Sequence, residues 1–213
     1  MKLYSYWRSS AAYRVRIALA LKACEYETHP VNIAPGASEQ LEDRFRGVNA
    51  QMRVPVLEVG GVRMIQSMAI LNWLEETYPD PSLLPGNAEQ RQRIRAFADV
   101  IACDIHPLNN LSVLKTLRQD FNGDDDRVSA WYSDWIHRGF RALEAMAVES
   151  IGGDYVFGNQ PTMAEICLIP QMHNAHRFNV DLYDFPRLQE IEAVCLNHPA
   201  FNAALPKNQP DAT

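Results

Sequence analysis

Arg8, Ser9 and Ser10 stand in a row directly ahead of an apolar, helix-patterned stretch, and Arg14 and Arg16 follow within it. Two adjacent hydroxyls at such a point are an N-cap signal. The helix start behind them brings unpaired backbone N–H groups and roughly half a positive charge, which favours an anion placed there. The first 24 residues hold five basic side chains (Lys2, Arg8, Arg14, Arg16 and Lys22) and no acid. The whole chain, by contrast, carries 20 Lys and Arg against 26 Asp and Glu, a formal net charge of −6. Residues 1–80 are balanced, with nine of each sign, so the acidic excess lies beyond them. Two readings of this basic corner stand side by side: it serves a small anion, or its arginines solvate one face of a helix. The acidic total argues against a nucleic-acid partner.

Few other side chains are arranged for chemistry. Cys24, Cys103, Cys167 and Cys195 are widely separated and form no Cys-x-x-Cys pair, so a zinc ribbon or dithiol centre is not expected. They read as reduced, mostly buried thiols. His173 and His176 share a helix face, but no carboxylate or cysteine joins them at ligand spacing. Asp124, Asp125 and Asp126 precede a helical pattern and suit its positive end better than a metal ion. No metal site is expected.

The elements that must position these groups follow from periodicity. Residues 2–6 alternate weakly and predict a first strand. Ser9 and Ser10 open a helix to Leu21, in which Tyr13, Ile17 and Leu21 recur every fourth residue with the arginines at the flank. Residues 26–33 predict a second strand and 38–47 a helix. Arg53 to Val59, Gly60-Gly61 and Val62 to Ile65 make a hairpin pattern with a two-residue turn. Ser67 is placed to cap a helix with Ile70, Leu71, Leu74 and Tyr78 as its stripe, ended by Pro79. The order is βαβαββα over about 78 residues, a parallel βαβ unit closed by a hairpin. Residues 79–88 carry three prolines and a glycine and read as a linker. Beyond them the patterns are helical: 89–118 with a kink at Pro107, 125–147, a capping box from Thr162 to Glu165 opening a helix towards Phe178, and 186–197. The domains are placed at 1–80 and 89–213, joined by 81–88.

The 213 residues, 47% of them hydrophobic and 22% charged, are enough for two domains and have ordinary globular composition. No apolar run approaches the ~20 residues that span a bilayer. The first residues enter a strand pattern with no signal-peptide core. The expectation is a soluble, cytoplasmic protein without a membrane partner.

With Val54-Pro55 opening the third strand and Gln66-Ser67 opening the third helix, this arrangement resembles the glutathione transferases. The segment Arg8 to Leu19 (Arg-Ser-Ser-Ala-Ala-Tyr-Arg-Val-Arg-Ile-Ala-Leu) is similar to the signature of the zeta class. The likeness continues from Asp104 to Lys115 and from Thr162 to Pro170. The resemblance implies a thioredoxin-like N-terminal α/β domain with a mixed four-stranded sheet, an all-α C-terminal domain, glutathione as cofactor, and a homodimer. The implied activity is cis–trans isomerisation of maleylacetoacetate to fumarylacetoacetate, in tyrosine and phenylalanine breakdown, by reversible thiolate addition to the double bond. Maleylpyruvate isomerisation, and conjugation or dehalogenation of small electrophiles, are the alternatives.

Carried over residue by residue, the resemblance makes Ser9 the first choice and Ser10 the second for the hydroxyl that stabilises the thiolate, with Arg8 and Arg14 expected to add field of the same sign. A free thiol has a pKa of about 8.5 and is mostly protonated at neutral pH. One hydroxyl plus a helix end could lower it by about two units, each worth ~1.4 kcal/mol. Many relatives place a cysteine after the serines; Ala11 stands there instead, so no protein thiol is offered. Val54-Pro55 matches a cis-proline site at which the Val54 backbone pairs with the cysteinyl unit of glutathione. Gln66 and Ser67 match the site of the γ-glutamyl carboxylate, and Gln40 a further glutathione contact. His106, Asn110, Leu111 and Ser112 match positions towards glutathione, and His106 and Asn109 positions towards substrate. His106 reads equally as a satisfied structural histidine. Arg177 matches an arginine facing the substrate, or complements the end of its helix. Guanidinium–carboxylate pairing is the reason to expect Arg8 and Arg177 to hold a small dianion. Maleylpyruvate isomerases carry an extra arginine near Asn110, where this chain has Leu111-Ser112, which favours maleylacetoacetate.

Overall fold

Four strands form one mixed sheet in the order β2-β1-β3-β4, namely β1 (Lys2–Ser5), β2 (Glu27–Pro30), β3 (Val56–Val59) and β4 (Val62–Ile65). The computed structural model describes residues 1–150 and 152–213. β1 runs parallel to β2 and antiparallel to β3, and β3 turns back into β4 through Gly60 and Gly61, both at positive φ as a tight hairpin turn requires. Helices α1 (Ser10–Leu21) and α3 (Ser67–Thr77) pack against each other. Their Ile17, Leu19, Ile70, Leu71 and Leu74 are fully buried, as are Leu3 and Leu57 of the central strands. Each such side chain contributes about 1.5–3 kcal/mol on leaving water. Between β2 and β3 the pattern at 38–47 is split into a 3-10 turn (Glu39–Leu41) and a single α turn, α2 (Asp43–Arg46). Ser38 in the left-handed region (φ 51°) and Glu42 in extended conformation (ψ 147°) interrupt what the sequence reads as one helix.

The chain divides into two compact units, 1–83 with 196–213, and 84–195. The sequence reading places the linker at 81–88 and assigns everything after it to the helical part. Two contacts explain the difference. Lys22 Nζ bonds Glu75 Oε2 and the Pro81 carbonyl, each at 3.0 Å, and also the Tyr78 carbonyl. Glu75 in turn accepts from Ser82 Oγ at 2.6 Å and from the Leu83 N–H at 2.8 Å, so residues 78–83 are tied to the first unit. At the other end α9 (Pro199–Ala204) packs on α1.

That packing also corrects the picture of α1 as a helix with arginines at an open flank. Arg14 and Arg16 are 2% and 1% exposed. Arg16 donates to the Ala204 carbonyl (3.2 Å), Ser5 Oγ (3.1 Å), the Tyr6 carbonyl (3.4 Å) and the Trp7 carbonyl (3.0 Å). A guanidinium is tolerated in a core when its N–H groups are used this fully. Burial pushes the Arg16 pKa down to about 10, against the raising influence of Tyr26, Tyr13 and Asp211.

The second unit is helical: α4 (Ala88–Asp99), α5 (Leu111–Gln119), α6 (Asp125–Glu149), α7 (Met163–Arg177) and most of α8 (Pro186–Asn197). Asn87 and Gln90 form a capping box at α4, Asp124 caps α6 through the Arg127 N–H (2.8 Å), and the Thr162–Glu165 capping box opens α7. The expected kink at Pro107 begins earlier. From Val100 to Ile105 the backbone widens into a π turn, closed by His106 N–H on the Ile101 carbonyl at 2.9 Å. Gly139 on α6 receives this turn: a Cβ there would lie 2.3 Å from Ile105 Cδ1. Of the cysteines, Cys167 and Cys195 are buried, Cys24 is half-buried and Cys103 is exposed on the π turn. No helix among the described residues is long and apolar enough to cross a membrane.

Candidate functional site

Strand register brings the first unit's expected site residues to one end of the sheet. Tyr4 pairs with Val56 and Val56 with Ile65. The chain therefore leaves β1 towards Arg8 where it enters β3 from Val54-Pro55, and leaves β4 for Gln66 at the same end. β2, parallel to β1, ends there too. Tyr6, Val31, Phe45, Val54 and Val56 form one buried cluster at this end, with Trp7, Ala34 and Ile65 packed on it.

Ser9 is the N-cap of α1: its Oγ accepts from the Ala12 N–H at 3.2 Å, which leaves its own proton to donate. Ser10 is the first helical residue and is 8% exposed; Ala11 behind it is half-buried. Arg8 lies with its Cζ 4.6 Å from the Trp7 ring centroid and donates from Nη2 to the Tyr6 hydroxyl at 3.1 Å. Its Nε is buried with no partner among the described residues, as is Oε1 of Gln40 in the 3-10 turn.

Val54-Pro55 is a cis peptide, as the resemblance implies, and Asp80-Pro81, which the sequence did not single out, is another. Ser67 does not cap α3. The cap position is Gln66, at φ 67°, and it makes no side-chain cap. Gln66 Nε2 donates instead to Gln51 Oε1 at 2.8 Å. A non-glycine residue held at positive φ is a strained arrangement of the kind found at functional sites. The Ser67 hydroxyl accepts from buried Arg14 Nη1 at 3.4 Å, which ties the start of α3 to α1.

In the second unit the expected residues divide into two kinds. Asn110 caps α5: its Oδ1 accepts from the Ser112 and Val113 N–H groups (3.0 and 3.1 Å) and from Ser112 Oγ (2.6 Å), while Nδ2 donates to the Pro107 carbonyl (2.7 Å). The Asn110 and Ser112 side chains thus have structural work. Leu111 is exposed and His106 half-buried in the turn after the π segment. Asn109 is different. It is buried, donates to the Tyr132 carbonyl at 3.0 Å, and keeps a buried Oδ1 with no partner among the described residues. Tyr132 stacks on Phe178 at 3.9 Å, and Phe178 carries the exposed Arg177 guanidinium 5.0 Å from its ring. Burial pushes the Tyr132 hydroxyl pKa up, against the pull of the Arg177 charge. Tyr132 and Phe178 therefore join Asn109 to Arg177. Spacing does not single out either aromatic, because Tyr132 lies in an ordinary apolar helix pattern and Phe178 at the end of another.

Residues 1–76 match the family described as "Glutathione S-transferase, N-terminal domain". Over the full length of both chains the protein is 46% identical to a maleylpyruvate isomerase of a Ralstonia species. A solved holo structure of maleylpyruvate isomerase, described as a bacterial glutathione S-transferase of the zeta class, superposes with a TM-score of 0.97 at 45% identity, covering all of both chains. A maleylacetoacetate isomerase from Anaeromyxobacter dehalogenans, solved with dicarboxyethyl glutathione and citrate in its active site, gives a TM-score of 0.87 at 39% identity. That comparison covers 100% of this chain and 93% of the other.

Proposed function

The chain belongs to the zeta class of the glutathione S-transferase family, and from that premise we propose that it is a glutathione-dependent cis–trans isomerase of a small dianionic keto acid. Maleylacetoacetate is its main substrate in this reading. The observation that carries it is the meeting, at one end of the sheet, of a helix start, the Ser9 hydroxyl and the Arg8 guanidinium.

The residues at that end fit glutathione. A zwitterionic tripeptide with two carboxylates needs cationic and N–H donors and one or two acceptors. Arg8 Nε and Gln40 Oε1, each without a partner among the described residues, and the starts of α1 and α3 offer these. Ser9, Ser10 and Ala11 hold the cysteinyl end in this proposal, the Val54-Pro55 backbone its amides, and Gln66 and Ser67 the γ-glutamyl carboxylate. When bound, glutathione supplies a thiolate that adds to the cis double bond and leaves after rotation, so the cofactor is returned unchanged.

The protein's part is electrostatic. The Ser9 oxygen is already engaged by the Ala12 N–H, so the hydroxyl donates to the sulfur and favours its ionised form. Arg8, oriented by the Tyr6 hydroxyl and the Trp7 ring, adds a positive field and a partner for a substrate carboxylate. Arg177, with Asn109 and His106, takes substrate carboxylates and carbonyls in the same proposal. As a solvent-facing guanidinium it binds the ground-state and transition-state dianion alike. Arg177→Ala should raise KM for the dianion about tenfold with kcat and glutathione affinity nearly unchanged. Steady-state kinetics with each ligand varied separately check this, and equal loss of both affinities would remove Arg177 from the substrate site.

The second reading, maleylpyruvate as main substrate, is favoured by the Ralstonia relative. Against it stands the absence of arginine at Leu111 and Ser112. Conjugation or dehalogenation of apolar electrophiles suits the two arginines less well. The proposal includes the homodimeric, cytoplasmic state implied by the resemblance. Ultraviolet assays of both maleyl substrates, with and without glutathione, test the function. The expected result is turnover only with glutathione and a higher kcat/KM for maleylacetoacetate; turnover without glutathione would refute the mechanism.

A further inference from the structure

The loop from Tyr6 to Ser9 carries both Arg8 and Ser9, yet belongs to no strand or helix. Its shape is fixed by four hydrogen bonds. The Ser9 N–H donates to the Tyr6 carbonyl at 2.9 Å. Arg16 donates to the Tyr6 carbonyl (3.4 Å) and to the Trp7 carbonyl (3.0 Å). The Trp7 N–H donates to Asp211 Oδ2 at 3.0 Å, a contact across 204 residues of sequence. Both backbone polar groups of Trp7 are thus held by side chains from outside the loop, and Trp7 is the residue whose ring underlies the Arg8 guanidinium.

The segment that delivers Asp211 is itself pinned. Gln209, 8% exposed, donates from Nε2 to the Ala203 and Leu205 carbonyls (3.0 and 2.9 Å), and the Ala212 N–H closes a turn on the Gln209 carbonyl at 3.0 Å. Asp211 stands with Tyr6, Trp7 and Arg8 around a cavity of about 270 Å3. Its second oxygen, Oδ1, is buried with no partner among the described residues.

Resting on the reading that Arg8 and Ser9 act on the thiol, we propose that Asp211 is a positioning residue, holding the Trp7 peptide so that Arg8 and Ser9 keep their orientation at the helix start. It touches neither substrate nor cofactor; it acts through the loop. Misplacement of a reacting group by a fraction of an ångström is enough to slow a reaction on the order of tenfold.

The test compares Asp211→Ala and Asp211→Asn with the unmodified protein, reading kcat, KM for glutathione, the pH at which the bound thiol ionises, and the thermal midpoint. Asp211→Ala should lower kcat about tenfold and move thiol ionisation towards higher pH, with KM for glutathione and the midpoint nearly unchanged. Asp211→Asn keeps an oxygen to accept from the Trp7 N–H and should recover most of kcat. The role is overturned if Asp211→Ala keeps normal kcat and thiol ionisation, or if Asp211→Asn is as impaired as Asp211→Ala. Ser9→Ala, run beside them, separates the failures. If Ser9→Ala raises the ionisation pH and Asp211→Ala does not, only the positioning role falls. If Ser9→Ala leaves it unmoved, the activating role falls and the positioning role with it.

Discussion

With Ser9 as the proposed donor to the thiolate, Ser9→Ala should lower kcat about 100-fold and raise the pH at which bound glutathione ionises by about one to two pH units, leaving the fold intact. Two functions are lost together in this variant, and their sizes differ. The cap bond to the Ala12 N–H at 3.2 Å contributes about 1 kcal/mol to stability, which a chain of this size absorbs. The hydroxyl's proton is the larger loss, since a donor aimed at a forming anion in a partly enclosed site is worth 10²–10³ in rate by analogy with other such donors. Difference absorbance of the thiolate across a pH series reads the ionisation directly, and calorimetry reads the fold. Unchanged ionisation with a falling thermal midpoint would make Ser9 a cap and nothing more. Ser10→Ala serves as the comparison: with Ser9 as the donor, it leaves thiol ionisation nearly in place.

The second large effect is on stability. Lys22→Met should cost about 3–5 kcal/mol and lower the thermal midpoint by roughly 10 °C. Lys22 and Glu75 form an ion pair at 3.0 Å with side chains 0% and 9% exposed. Removing the cation leaves a carboxylate buried beside the Tyr78 and Pro81 carbonyls, which then lack their donor. The double variant Lys22→Met/Glu75→Gln should recover part of the loss, because the neutral amide still accepts from Ser82 or the Leu83 N–H. The pair also sets an acid limit. Burial works against the ionised Glu75, but hydrogen bonds from Ser82, the Leu83 N–H and Lys22, with the lysine charge, outweigh it and hold the carboxyl below the usual carboxylate range. A folded-state pKa below the unfolded one contributes stability in full above the ordinary glutamate value of about 4.3, and this is lost as pH falls below it. Chemical denaturation between pH 7 and pH 3 should show that decline flattened in Glu75→Gln. An unflattened decline would assign it to other carboxylates.

Much of the scaffold could be read from local signals. The cap at Ser9, the glycine turn between β3 and β4, and the Thr162–Glu165 capping box are short-range patterns, and each appears where the residues indicate. The burial of Arg14 and Arg16 could not be read that way. Helical periodicity assigns faces by assuming one open side, and the side it left open on α1 is closed by α9, which arrives from the far end of the chain. The widening at Val100–Ile105 is likewise invisible to spacing, since it starts seven residues before the proline and packs closely at Gly139 on another helix. Gln66 carries a left-handed backbone that no composition rule expects of glutamine. In the candidate site, register brings the ends of β1 and β4 and the start of β3 to one sheet end, so Arg8, Ser9, Val54 and Gln66 gather there. The duties of Asn110 and Ser112 in capping α5, and the stack of Tyr132 on Phe178, depend on three-dimensional neighbours that spacing does not reveal.

The division of the chain has a bearing on its biosynthesis. Residues 196–213 complete a body whose other members are 1–83, so vectorial translation cannot finish that body before the intervening 84–195 have emerged. Until then Arg16 lacks its acceptor on Ala204 and Trp7 its carboxylate, and a nascent chain would expose an unfinished loop at Arg8 and Ser9. Completion of that loop therefore has to wait until residues 84–195 have been made, whichever unit collapses first.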